Sequence, residues 1–201
     1  VVAGLIAGLP AMRWTAMKIT QFGHGVCSAN GEACECETAD HRIAISEERG
    51  ESGTDSGRYL AAGAERSLWV RTRQGQLVEA MPRIRKEFER SRNTLVESNS
   101  ILRFLKPDVF LSVLDPAVED FKDSARRYLD RADAILLPEG TTLGRDAWEG
   151  VSEALYRKIP VIRMRPPAYA TAELIEFVRE RMRSLPTEAS ETSEMRGGTF
   201  L

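Results

Sequence analysis

Two apolar runs limit what this chain can fold into: Asp108-Val109-Phe110-Leu111-Ser112-Val113-Leu114 and Ala134-Ile135-Leu136-Leu137. Neither alternates with polar residues, as a strand with one wet face would; nearly unbroken runs of this kind are strands covered on both faces, the mark of a parallel sheet. Phe121 to Arg131, between them, has the pattern of a helix. The same alternation fills the rest of the chain. An opening helix over Val1 to Leu9 leads to a strand at Arg13 to Thr20, bounded by Pro10 and the Gly23 to Gly25 turn signals. His41 to Ser46 adds a short strand, and Glu47 to Asp55 is expected to be exposed and mobile. Asp55 or Ser56 is expected to cap the helix that begins near Gly57.

Further helices are expected at Tyr59 to Ala64, Leu77 to Arg90, Asp146 to Arg157 and Ala170 to Ser184, and further strands at Ser67 to Thr72, Asn93 to Ser98 and Pro160 to Met164. The fold class that follows is α/β: a doubly wound, mostly parallel sheet flanked by helices. With 201 residues, 42% of them hydrophobic, one ordinary core is available, so residues 1–185 are expected to form a single domain. Residues 186–201, rich in Ser, Thr, Glu and Gly with no apolar period, are expected to be a disordered tail.

Charge excludes some partners. The 28 basic and 30 acidic residues are interspersed, which leaves no electrostatic footprint for nucleic acid or an anionic membrane surface. The apolar opening lacks a basic lead and falls short of the roughly 20 residues that span a bilayer, so it reads as neither signal nor anchor. The cysteines number three, and Cys34 and Cys36 are too close for an easy mutual disulfide. A reducing, cytoplasmic setting is expected.

All the cysteines and histidines fall in one window: His24, Cys27, Cys34, Cys36 and His41. Zinc takes four N or S ligands in a tetrahedron, and Cys3His or Cys2His2 sets are available here, although Cys34-x-Cys36 is tighter than usual zinc spacing. Three readings stand side by side: a metal site, with Zn2+ the first choice, a reactive or redox thiol group, and a loop in which the cysteines have no special role. Elsewhere, Glu97 closes an apolar strand at its carboxyl end, the edge where open α/β sheets bind ligands. A carboxylate there can orient water or hold Mg2+ through water, and an edge or capping role is the simpler alternative.

Three segments resemble, in order, the P-loop GTPase family of molybdopterin-guanine dinucleotide biosynthesis protein B (MobB): Ala16-Met17-Lys18-Ile19-Thr20, Asp55-Ser56-Gly57-Arg58-Tyr59-Leu60-Ala61-Ala62-Gly63-Ala64, and Leu95-Val96-Glu97-Ser98. Together they span roughly residues 1 to 115. The resemblance implies a three-layer P-loop fold that binds GTP or ATP with Mg2+; molybdopterin cofactor biosynthesis is the family's pathway, and for this chain the pathway stays open. Hydrolysis would be slow or stimulated by a protein partner, and the protein would form a homodimer. It places Glu97 near the nucleotide and Mg2+ as the catalytic carboxylate, and puts Lys18, Gln21, Asp55, Ser56 and Arg58 on the nucleotide's rim. The loop Gly-x-x-x-x-Gly-Lys-Ser/Thr that cradles phosphates in this family is absent from the 201 residues. In the family it precedes the first helix, so the expectation is an N-terminal truncation with the first strand missing and little hydrolysis by the chain as it stands. Pro138-Glu139-Gly140 follows a strand where related GTPases carry a base-reading Lys-x-Asp, so the choice between GTP and ATP stays open. The competing class is a non-enzymatic metal-binding or adaptor module on an α/β scaffold.

Overall fold

The computed structural model of the chain describes residues 1–23, 42–50, 53–115, 123–141, 152–185 and 197–200. Thirteen named elements are found among them, in the order α1 (Val2–Gly8), β1 (Trp14–Phe22), β2 (Ile43–Glu47), α2 (Asp55–Ala61), β3 (Arg66–Arg73), α3 (Leu77–Glu89), β4 (Asn93–Glu97), β5 (Pro107–Val113), α4 (Asp123–Tyr128), β6 (Ala134–Pro138), β7 (Val161–Met164), α5 (Ala172–Arg183) and β8 (Gly197–Phe200). The strands form one sheet in the order β2-β3-β1-β4-β8-β5-β6-β7. Every pairing is parallel except that of the edge strand β2, which runs antiparallel to β3.

Side chains alternate across this sheet, and each face has its own core. On one face Trp14 and Ala16 of β1, Leu95 of β4, Val109 and Leu111 of β5, and Ala134 and Leu136 of β6 pack with Leu5 and Ile6 of α1, Tyr59 of α2, and Leu174 and Val178 of α5. On the other face Met17, Ile19, Leu68, Val70, Val96 and Phe110 meet Leu77, Ala80, Met81 and Ile84 of α3. The unbroken apolar runs are therefore two-sided strands, and the helix-flanked, mostly parallel α/β sheet is present. Trp14 fixes the entry to the sheet. Its ring is buried and its Nε1 donates to the Leu9 carbonyl at 3.1 Å, satisfying the one polar atom it carries inside.

Where the structure departs from the sequence reading, local causes are visible. The helix-initiating cap is neither Asp55 nor Ser56 but Thr54, whose side chain accepts the Gly57 N–H. The described end of the helix expected over Asp146 to Arg157 is a short 3-10 turn, Glu153–Leu155, started by Ser152. Within the tail expected to be disordered from residue 186, Gly197–Phe200 is a strand, and it holds the middle of the sheet between β4 and β5. Backbone pairing to two neighbours accounts for that placement, which apolar periodicity could not signal. No helix among the described residues is long and apolar enough to cross a membrane.

Strand lengths differ in a way that shapes the ligand edge. Lys18 of β1 lies in register with Glu97, the last residue of β4, and on its other side with Trp69 of β3. Both β1 and β3 continue past that row, to Phe22 and Arg73, and with β2 they make a three-stranded wing beyond the end of β4.

Candidate functional site

The row Trp69–Lys18–Glu97 crosses three strands on the face that α1 and α2 cover, because Lys18 has the same parity as Ala16 and Glu97 the same parity as Leu95. From β1 the chain turns through β2 and α2 to β3 on one side; β4 lies on the other, on the way to β5 and the remaining strands. Glu97 thus stands at the carboxyl end of β4, beside Lys18 in the middle of the longer β1, where the strand order diverges; open α/β sheets form their ligand crevice outside carboxyl strand ends at such a point.

α2 closes this crevice from above with two side chains one helical turn apart. Asp55 Oδ2 accepts a hydrogen bond from Lys18 Nζ, and Tyr59 donates its hydroxyl proton to Glu97 Oε2. Lys18 Nζ also lies 3.7 Å from Glu97 Oε1. The result is a short chain of charge, Asp55–Lys18–Glu97, with Tyr59 tying its far end back to the helix. The Lys18 hydrogen bond, reinforced by its charge, holds the Asp55 carboxyl below the usual carboxylate range against an opposing desolvation cost. Burial, then the hydrogen bond to the Glu97 carboxylate, pushes the Tyr59 phenol well above its ordinary value.

Beside the Asp55–Lys18 pair is a cavity of about 250 Å³ lined by Lys18, Gly53, Thr54, Asp55, Ser56, Arg58 and Trp69. Arg58 reaches Asp55 Oδ1 at 3.4 Å from an exposed position. Ser56 is buried and donates to Glu48 Oε2 at 2.9 Å, with the Thr54 hydroxyl 3.0 Å away. On the wing side, Trp69 Nε1 donates to Thr20 Oγ1 at 2.9 Å, and the Arg71 guanidinium stacks over the indole at 4.6 Å.

Of the residues singled out in the sequence, Lys18, Asp55, Ser56, Arg58 and Glu97 come together. Gln21 does not. Three residues after Lys18 it has the opposite parity, and its Oε1 accepts the Gly75 N–H at 3.0 Å in the turn before α3. His24, Cys27, Cys34, Cys36 and His41 lie outside the described residues. Among the described residues no group of three or more His, Cys, Asp or Glu is arranged to hold a metal ion. Tyr59, which the sequence reading does not single out as a site residue, is the addition. Its signal was the spacing: four residues after Asp55 on a helix, it must share Asp55's face.

Asp55 and Glu97 carry the carboxylate oxygens of this cluster, both set against the Lys18 ammonium, and Ser56 and Thr54 carry hydroxyls at the neighbouring cavity. No protein-family model, no curated protein and no solved structure matches the chain.

Proposed function

We propose that the crevice binds a purine nucleoside triphosphate, GTP or ATP, as part of a P-loop NTPase-like site of the MobB type whose phosphate-cradling loop these 201 residues lack. The observation that carries this reading is the meeting of Lys18, Asp55 and Glu97 where β4 ends beside the longer β1. Lys18 is the one ammonium between two carboxylates, and a phosphate oxygen in the crevice would compete for it. Glu97, fixed by Tyr59, then keeps Oε1 for a water or a cation's hydration shell. Glu97 and Asp55 would hold Mg2+ together with the phosphates, and the ion would supply charge neutralisation on the phosphoryl oxygens. Arg58 and Ser56 line the same rim. Such chemistry rests on positioning and charge, so hydrolysis would be slow or would wait on a partner protein.

Trp69 provides the test, since it lines the cavity. Titration with GTP or ATP carrying an N-methylanthraniloyl group should show saturable energy transfer from tryptophan that strengthens with Mg2+. Glu97→Gln should remove the Mg2+ dependence, and Lys18→Ala should weaken binding with or without Mg2+. Failure of both nucleotides to bind saturably would sink the reading and favour a metal-binding or adaptor role, which zinc analysis of the purified protein, with and without Cys34→Ser, would then address.

A further inference from the structure

A second cavity, of about 500 Å³, opens at the amino-terminal ends of the interior strands β5 and β6; it is lined by Leu102, Leu105, Lys106, Pro107, Asp108, Phe110, Arg131 and Asp133. Its volume falls within the range of small-molecule sites. The lining separates into a floor and a mouth. Leu102 and Phe110 are buried and Leu105 is half-buried, which makes the floor apolar. Lys106 and Arg131 are exposed at the mouth.

The charges of this lining are unevenly committed. Asp133 Oδ2 accepts the Phe110 N–H at 2.8 Å, and Oδ1 lies 3.5 Å from an Arg181 guanidinium nitrogen, so this acid is engaged by the protein. Asp108 likewise has a partner within the chain. Among the described residues neither Lys106 nor Arg131 forms an ion pair; Arg131 stacks on the Tyr128 ring at 5.0 Å, a contact with its flat face that leaves the N–H groups at its rim available. Two cations with open donors therefore line a cavity with an apolar floor, while Asp133 is engaged by Arg181 and the Phe110 N–H and Asp108 has a partner of its own in the chain.

We infer that this cavity is a binding site for a small amphipathic carboxylate, its apolar body on Leu102, Leu105 and Phe110 and its carboxylate between Lys106 and Arg131. The site is separate from the Lys18–Glu97 crevice and does not depend on the nucleotide reading. Selectivity follows from the two parts. A cation of the same shape meets Lys106 and Arg131 as like charges, and a neutral alcohol leaves their donors without an acceptor. A polar anion without an apolar body, such as acetate, gains nothing from the floor.

Isothermal titration with octanoate tests this directly, with octanol and octylammonium as ligands of the same body. Octanoate should bind saturably at one per chain, octanol about tenfold more weakly, and octylammonium not at all. The Lys106→Ala/Arg131→Ala double variant should bring octanoate down to the octanol level without changing octanol binding. Both substitutions are on the surface, so folding is preserved, and Leu105→Trp, which fills the floor, should weaken octanoate and octanol together. Absence of saturable octanoate binding would overturn the inference. So would equal affinity for octanoate and octanol, or octanoate affinity unchanged in the double variant.

Discussion

The Tyr59 hydroxyl donates to Glu97 Oε2, joining a buried side chain of α2 to the last residue of β4. A hydrogen bond to a charged acceptor contributes about 1.5–3 kcal/mol when fully sheltered, and the Glu97 side chain is 40% exposed, so solvent screening reduces that figure. Tyr59→Phe, which keeps the ring in its packing, should lower the unfolding free energy by about 1 kcal/mol in urea titrations. Tyr59→Ala should cost about 3–5 kcal/mol, because it also empties the ring's place between α1 and the sheet. Equal losses from the two would mean that the hydroxyl, not the ring, carries the interaction.

The same bond sets an alkaline limb. An unfolded tyrosine ionises near pH 10, whereas folded Tyr59 keeps its proton to higher pH, chiefly through burial and then through Glu97. Above about pH 10 the folded state binds the extra proton, so stability is complete below that pH and declines as pH rises. Melting temperatures between pH 8 and 11 should fall more steeply for the natural chain than for Tyr59→Phe. Parallel curves would remove Tyr59 from the account.

Asp55 works at the acid end. Its folded pKa is depressed by Lys18, while the unfolded carboxyl titrates near 3.9. Between those values the unfolded state holds more protons, so the contribution is complete above about pH 4 and is lost as pH falls through the folded value. In Asp55→Asn this part of the acid loss should vanish, and the stability gap to the natural chain should narrow from pH 5 to pH 2. A double-mutant cycle with Lys18→Met should return a coupling of up to about 1 kcal/mol at pH 7, modest because both groups are partly solvated.

Two glycines of α1 should respond differently to alanine. A Cβ at Gly4 would lie 2.6 Å from the Ala170 Cβ, and one at Gly8 would lie 2.5 Å from the Ile175 Cδ1. Alanine gains about 1 kcal/mol of helix propensity at either site. At Gly8 the new Cβ would also lie 2.8 Å from Ile175 Cγ1, so the whole arm of a β-branched side chain must turn, while Ala170 has no freedom beyond its backbone. Both substitutions should therefore destabilise, Gly4→Ala by about 1–3 kcal/mol and Gly8→Ala by less. Chemical denaturation of the two variants separates these outcomes.

Much of the sheet could be read from the sequence because burial on two faces leaves its own pattern. Val109 to Leu114 and Ala134 to Leu137 are apolar at both parities, and β5 and β6 sit where those runs do. Lys18, Asp55 and Glu97 came together through the MobB resemblance alone, since charges on separate strands and a helix carry no periodic signal of being neighbours. Gln21 was misplaced by the same lack: nearness to Lys18 in sequence says nothing unless parity is counted, and three residues along a strand reverses the face. β8 was illegible because Gly197-Gly198-Thr199-Phe200 has neither alternation nor an apolar run; its position is a matter of backbone pairing.

That pairing has a consequence for the order of assembly. β4 and β5 do not touch each other as neighbours; β8 stands between them, matched to β4 at Leu95 and Val96 and to β5 at Pro107, Val109 and Phe110. The half-sheets β2-β3-β1-β4 and β5-β6-β7 share a core on each face, but the backbone pairing at their seam waits for residues about a hundred positions downstream of β4. During synthesis the facing edges of β4 and β5 lack that pairing until residues 197–200 emerge, and the interval before that closure is when they are most open to pairing with the wrong strand.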